Sequence, residues 1–307
     1  MPPDTMPPAP LEAGSSTPSS GAIYDLGYRR YDGPRLGRWH AISTLFWASL
    51  RAAFGMGRSG RAKIVPWGLA VFALIPALVA VAIIALIGEG ISPFTYDNYL
   101  WQVQITFALF VAAQAPELVN SDMRHRVLAL YFSHPLERLD YAAAKLGALV
   151  AALLLLALTP QLVLFAGNLL TSTDVVAGLR DQAGALPQII GTSLLYAVTL
   201  SSIGIAIAAF TPRRAYATGA IIAFFLVTGA VSTILGEATR GSLSDWAPLI
   251  DPFALIDGTR DWLLGASIDE SPVTGSSVPL PIFGGVLAAV VALAVAVIAL
   301  RYQRVEA

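Results

Sequence analysis

The chain has no cysteine. Disulfides, thiolate metal sites and cysteine nucleophiles are therefore excluded. Its three histidines, His40, His125 and His134, offer no metal triad, and HExxH is absent. None lies in an apolar stretch beside a serine or a second carboxylate, so an intramembrane serine hydrolase has no base. A GxxxxGK[ST] phosphate loop is also missing, which rules out ATP hydrolysis by the P-loop route. Charge is scarce: 13% of residues are charged, against about 25% in soluble domains. A net charge of −1 gives no ground for nucleic acid as a partner. Lysine is nearly missing, with 2 against 17 arginines. With plentiful Ala, Gly, Val and Pro, that bias points to a high-GC bacterial genome.

What remains is apolar. The 307 residues are 56% hydrophobic, and the mean hydropathy is +0.67. A bilayer crossing needs roughly 20 apolar residues. Six stretches qualify, at 66–87, 100–119, 142–169, 186–210, 215–235 and 282–300. The second is the most polar, with Gln102, Gln104, Gln114 and Glu117. An even count puts both ends on one side. With both termini cytoplasmic, inner segments hold 16 of the 19 Lys and Arg residues, leaving Arg180, Arg240 and Arg260 outside. Outer segments hold 11 of the 20 acids. This asymmetry obeys the positive-inside bias. The expected fold class is an all-α polytopic membrane protein with six transmembrane helices over 66–301.

Residues 1–22 are rich in Pro and Ser without an apolar core, and read as a disordered cytoplasmic tail and not a cleavable signal. Residues 23–65 read as a cytoplasmic, interfacial segment. Within it, 40–56 places Ile42, Leu45, Phe46, Leu50 and Phe54 at helical spacing, beside Trp47 and with Arg51 toward the polar side. That pattern predicts an amphipathic elbow helix, lying in the inner interface or packed on the protein's own cytoplasmic face. Arg58, Arg61 and Lys63 suit anionic headgroups of the bilayer. In the outer segment 236–281, Pro248 and Pro252 break any long helix. Short interfacial helices with Trp246 and Trp262 at headgroup level are expected, and 269–281 reads as flexible linker. Residues 302–307 form a second cytoplasmic tail.

The densest chemistry is PELVNSDMRHRVLALYFSHPLERLDY (116–141), wedged between two apolar stretches. Met123, Val127, Leu130 and Tyr131 fall at i, i+4, i+7 and i+8, one face of a short helix. Asp122 stands where it can cap that helix. Pro135 is placed to start a second helix, with Glu137 in its first turn, running through Tyr141 and Lys145 into the third crossing. One reading makes 120–141 a coupling segment presented to a soluble partner. The other makes it an ordinary cytoplasmic loop whose arginines hold topology. Glu117, Arg213 and Arg214 are candidates for an inner gate or for the same coupling.

Ion-coupled transport is disfavoured, because such carriers place charged residues at mid-membrane depth. The third to sixth crossings carry neutral groups instead, among them Gln161, Asn168, Gln188, Thr192, Ser193, Thr199 and Ser201. These join helices or line a cavity.

The segment resembles the permease subunit of ABC-2-type ABC transporters. That family carries an Asp-Arg-rich stretch after the second crossing, then Leu-Tyr-x-Ser-x-Pro-x-x-Arg-x-x-Tyr-x-x-x-Lys. Here it is matched by Leu130, Tyr131, Ser133, Pro135, Arg138, Tyr141 and Lys145. YRRYDGPRLGR (28–38) looks like the openings of bacterial permeases from this group. His134 departs from the pattern, where relatives often carry arginine.

The resemblance implies a type V exporter-like fold in the bacterial plasma membrane. It implies a pore between two permease copies or homologues and two separate ATPase subunits beneath. ATP and Mg would bind in those subunits, with no cofactor in this chain. The ATPase would meet Asp122, Arg124, His125, Arg126, Leu128, Tyr131, Phe132, Pro135, Glu137 and Arg138 on a short coupling helix. The expected function is ATP-driven export of a hydrophobic or amphipathic drug, antibiotic or lipid. Alternatives are export for metalloenzyme maturation or for an envelope component, and a non-transporting scaffold.

Overall fold

From Gly60 to Ile87 the chain runs 28 residues without an acid. In lipid every N–H and C=O must be paired within the protein, which favours helix for such a segment. The computed structural model describes residues 33, 36–87, 94–124, 131, 135–171, 175–211, 213–238, 242–265, 267–268 and 271–304. Its elements are α1 (Arg38–Ala53), α2 (Gly60–Ile87), α3 (Tyr96–Gln102), α4 (Gln104–Arg124), α5 (Arg138–Thr171) and α6 (Val175–Gln182). There follow α7 (Ala185–Phe210), α8 (Arg214–Ala238), α9 (Ser242–Trp246), a 3-10 turn at Ala247–Ile250, α10 (Pro252–Leu264) and α11 (Leu280–Gln303). No strand occurs among the described residues.

Five helices, α2, α5, α7, α8 and α11, are long and apolar enough to cross a membrane. The expected crossing at 100–119 is built differently. The chain turns at Val103, separating α3 from α4. At 1.5 Å per residue α4 is about 31 Å long, enough for a bilayer, yet too polar to stand with the other five. Its surroundings explain why. Phe107, Phe110, Val111, Ala112, Ala115, Leu118 and Val119 are buried, and α4 packs on α2, α5, α7 and α8. Thr106, Gln114 and Asn120 are buried with them. A helix wrapped by other helices needs no apolar coat all round, so hydropathy under-reads it.

Alternating helix direction gathers one set of ends. Arg58, just before α2, and Arg214, at the start of α8, both pair with Glu117 near the end of α4. Arg138, at the start of α5, donates to the Gln303 carbonyl at the end of α11 (2.9 Å). Arg301 donates to the Ala209 carbonyl in the last turn of α7 (3.3 Å). Thus α2, α5 and α8 leave from one charged end, and α4, α7 and α11 return to it. The helix α1 lies at this end, with Leu45, Leu50 and Ala53 buried and its main packing on α5. Trp39 and Trp47 stay 81% and 57% exposed. Gly55 makes the turn into α2: its φ of +68° and the Ala62 carbonyl oxygen 2.6 Å from an added Cβ leave room for glycine alone.

At the opposite end α3, α6, α9 and α10 cover the bundle. Asp251 caps α10 by accepting from the Phe253 N–H (3.1 Å), and Pro252 opens the helix. The expectation of a flexible linker over 269–281 fails for its described part. Val273 and Val278 are buried. Ser276 donates to the Asp245 carbonyl (2.7 Å) and Ser271 to Asp257 (3.2 Å). Small polar residues there fasten the segment to its neighbours by hydrogen bonds and do not solvate it. Of the neutral polar groups, three join elements: Asn168 donates to Tyr96 Oη (2.6 Å), Gln161 to the Tyr96 carbonyl (3.4 Å) and Gln188 to the Leu264 carbonyl (3.2 Å).

At the α4–α7 crossing a Cβ on Gly204 would overlap the side chain of Val111. Gly204→Leu should therefore destabilise the protein by about 1–3 kcal/mol through overpacking, read as a lower unfolding temperature in detergent. An unchanged temperature would mean that α4 and α7 do not cross closely there.

Candidate coupling site

The two ends of segment 120–141 are held differently from expectation, and the holding is stronger. Asp122 does not cap a new helix. It lies in the last turn of α4, where its Oδ2 accepts from Lys145 Nζ and from Tyr141 Oη, each at 2.8 Å. Tyr141 and Lys145 are four residues apart on α5, so one helical face presents both. The Lys145 and Asp122 side chains are only 7% and 15% exposed. The Tyr141 ring packs at a tilt against Tyr302, near the end of α11 (5.3 Å between centroids), and against Tyr131 (5.7 Å). Burial, then the Asp122 charge, pushes the Tyr131 phenol above its ordinary value, so it stays protonated.

The second correction concerns Pro135. It lies in a bend, and α5 starts at Arg138. The Glu137 carbonyl accepts the first helical bond, from the Tyr141 N–H (3.1 Å). Asp140 reaches back to the Glu137 N–H (3.0 Å). The acid that satisfies the orphan donor is therefore Asp140, one turn inside the helix. Both acids also hold Arg38 of α1. Its Nε and Nη2 form a two-pronged bond to Asp140 (2.8 Å each), and Nη1 donates to Glu137 Oε1 (2.5 Å). Such a fork fixes direction as well as distance.

Beside this clamp sits the Glu117 triad, joining the approach to α2, the end of α4 and the start of α8. Asn120 adds a bond to the Thr211 carbonyl after α7 (2.7 Å). Arg213 lies over the Tyr216 ring at 5.9 Å and outside the triad. Of the residues expected to meet a partner, Asp122, Glu137 and Arg138 thus come together with α1, α5 and α11. Arg124 ends α4. His125, Arg126, Leu128 and Phe132 lie outside the described residues.

Sequence reasoning missed Arg38, Asp140 and Lys145 as partners of this segment. Only the four-residue spacing of Tyr141 and Lys145 carried a usable signal, because it sets them on one helix face opposite an acid.

Among the described residues no three His, Asp or Glu side chains cluster as metal ligands. What the arrangement can do is carry force. The family described as ABC-2 family transporter protein matches this chain over residues 89–301. No curated protein matches it.

Removing one partner of a buried pair strands the other charge, at a cost of about 3–5 kcal/mol. Lys145→Met and Asp122→Leu should each lower the unfolding temperature, and the double variant should lose less than the sum. Additive losses would show that the pair does not interact.

Proposed function

This chain belongs to the ABC-2 transporter family, as the membrane permease subunit of an ABC transporter, and from that premise we propose that it exports a hydrophobic or amphipathic compound under the drive of a separate ATPase. The bundle has six crossings, with α4 as the inner one and the charged end in the cytoplasm of a bacterial plasma membrane. Trp39 and Trp47, exposed on α1, seat that helix in the inner interface. Two such permeases, identical or homologous, enclose the pathway.

The observation that carries this reading is the fastening of segment 120–141. Asp122 and Glu117 at its α4 side, and Glu137, Arg138 and Asp140 at its α5 side, tie it to α1, α2, α8 and α11. A push from a docked ATPase on 125–134 reaches six helices through charge-assisted bonds. An ordinary topology loop needs none of these ties. Closure of the ATPases on ATP would thereby tilt the charged end and alternate access. A scaffold that only recruits a protein has no use for such transmission.

The test is purification from the native host. An ABC ATPase should co-purify in a fixed ratio, and vesicles holding the complex should couple ATP hydrolysis to substrate movement. Arg38→Glu, which sets a third acid against Glu137 and Asp140, should leave the complex assembled but cut the coupled rate tenfold or more. A chain that never binds an ATPase would sink the proposal, and normal coupling in Arg38→Glu would move the transmission elsewhere.

A further inference from the structure

The helices α1, α2 and α5 enclose a slot of about 550 Å³, within the range of small-molecule sites. Trp67, Val71 and Leu74 of α2 form one wall, and Leu155 and Leu156 of α5 the other. The three α2 residues fall at i, i+4 and i+7, along about 10 Å of one helix face. The one hydroxyl in the lining, on Thr159, is spent on the Leu155 carbonyl of its own helix (2.7 Å). Trp67 and Val71 are each more than half exposed, so the slot opens on the side of the bundle that meets acyl chains.

The α1 side of the slot is charged. Arg51 lines it, and with Trp47 also lines a second hollow along the exposed face of α1, past His40, Ser43 and Thr44. The two hollows meet at Trp47 and Arg51. An apolar slot thus leads to a polar mouth that holds a guanidinium.

Arg51 stands apart from the other bases at this end of the molecule. Arg38 pairs with Glu137 and Asp140, Arg58 and Arg214 with Glu117, and Lys145 with Asp122. Among the described residues Arg51 has no carboxylate partner, and neither do Arg61 and Lys63 in the first turn of α2. Residues 33–88 contain no acid at all. A small anion would satisfy the mouth and leave the slot unfilled, and a plain hydrocarbon would do the reverse. An anionic head on a long chain fits both, and the inner leaflet supplies such molecules.

We infer that the slot between α1, α2 and α5 holds an acyl chain of an anionic phospholipid, with the phosphate on Arg51. The guanidinium fork matches two phosphate oxygens. Trp47 sits beside it, as tryptophans do at headgroup level. Thr44 and His40, further along the same face of α1, can donate to the remaining head oxygens. Arg61 and Lys63 do not line the slot and add only longer-range attraction. The bound lipid joins α1 to α2 and α5 at the end of α1 remote from the Arg38 clamp. The inference goes beyond the permease reading and shares with it only the seat of α1 in the inner interface.

The test places the full chain in nanodiscs of equal phosphatidylcholine and phosphatidylglycerol and counts the lipids that stay bound in native mass spectrometry. Phosphatidylglycerol should be retained in preference to phosphatidylcholine. Arg51→Gln should cut that retention about tenfold, the worth of one charge-assisted bond. Val71→Trp, at an exposed position, puts a ring into the slot and should remove the lipid with Arg51 intact. Arg61→Gln, outside the slot, should cost much less than Arg51→Gln, and added inorganic phosphate should not displace the lipid. Equal retention of the two lipids, full retention in either slot variant, an equal loss in Arg61→Gln, or displacement by phosphate overturns the site. Co-purification of an ATPase, read on the same preparation, judges the permease reading separately.

Discussion

Lys145 carries a charge into a position 7% exposed, and the Asp122 carboxylate 2.8 Å away makes that tolerable. The pair ties the last turn of α4 to the second turn of α5, across a segment that would otherwise be a free connection. Once that distance is fixed, Tyr141 falls between Tyr131 and Tyr302, and α11 is drawn to the same place. The start of α5 then offers Glu137 and Asp140 to Arg38, which sets α1 against the bundle. Arginine suits that exposed clamp because its planar fork matches a carboxylate. In the buried one a lysine ammonium and the Tyr141 hydroxyl share a single Asp122 oxygen.

The two ends of the molecule use polarity in opposite ways. At the charged end, basic and acidic groups are paired and join helices, so a displacement of one is shared by several. At the other end, short helices α3, α9 and α10 close the bundle with hydrogen bonds, several of them accepted by the carboxylates of Asp245, Asp251 and Asp257. Between the two ends α4 and α7 form the inner layer: α7 buries Thr192, Ser193, Thr199, Ser201 and Ser202, small polar side chains that allow close helix packing.

Much of this was legible in the sequence. Long apolar runs fixed five crossings, and the arginine bias fixed which ends gather together. The elbow read as helix because Leu45, Leu50 and their neighbours recur at helical spacing. The role of Asp122 was misread because a local cap and a tertiary ion pair leave the same trace, an acid before a polar stretch. Pro135 was misread as a helix start because proline favours both a first turn and the bend before one. Arg38 is 102 residues from Asp140, and no periodicity connects residues so far apart. The burial of Asp257 was equally hidden, since in the sequence it looks like any outer-segment acid.

The central claim is that an ATPase subunit engages segment 120–141 and that motion enters the permease there. Site-specific photocrosslinking within the purified transporter reads that contact directly. A photoreactive residue at Leu128 or Phe132 should join this chain covalently to its ATPase, while one at Gly275 should not. Adducts from Gly275 but none from 120–141 would contradict the account.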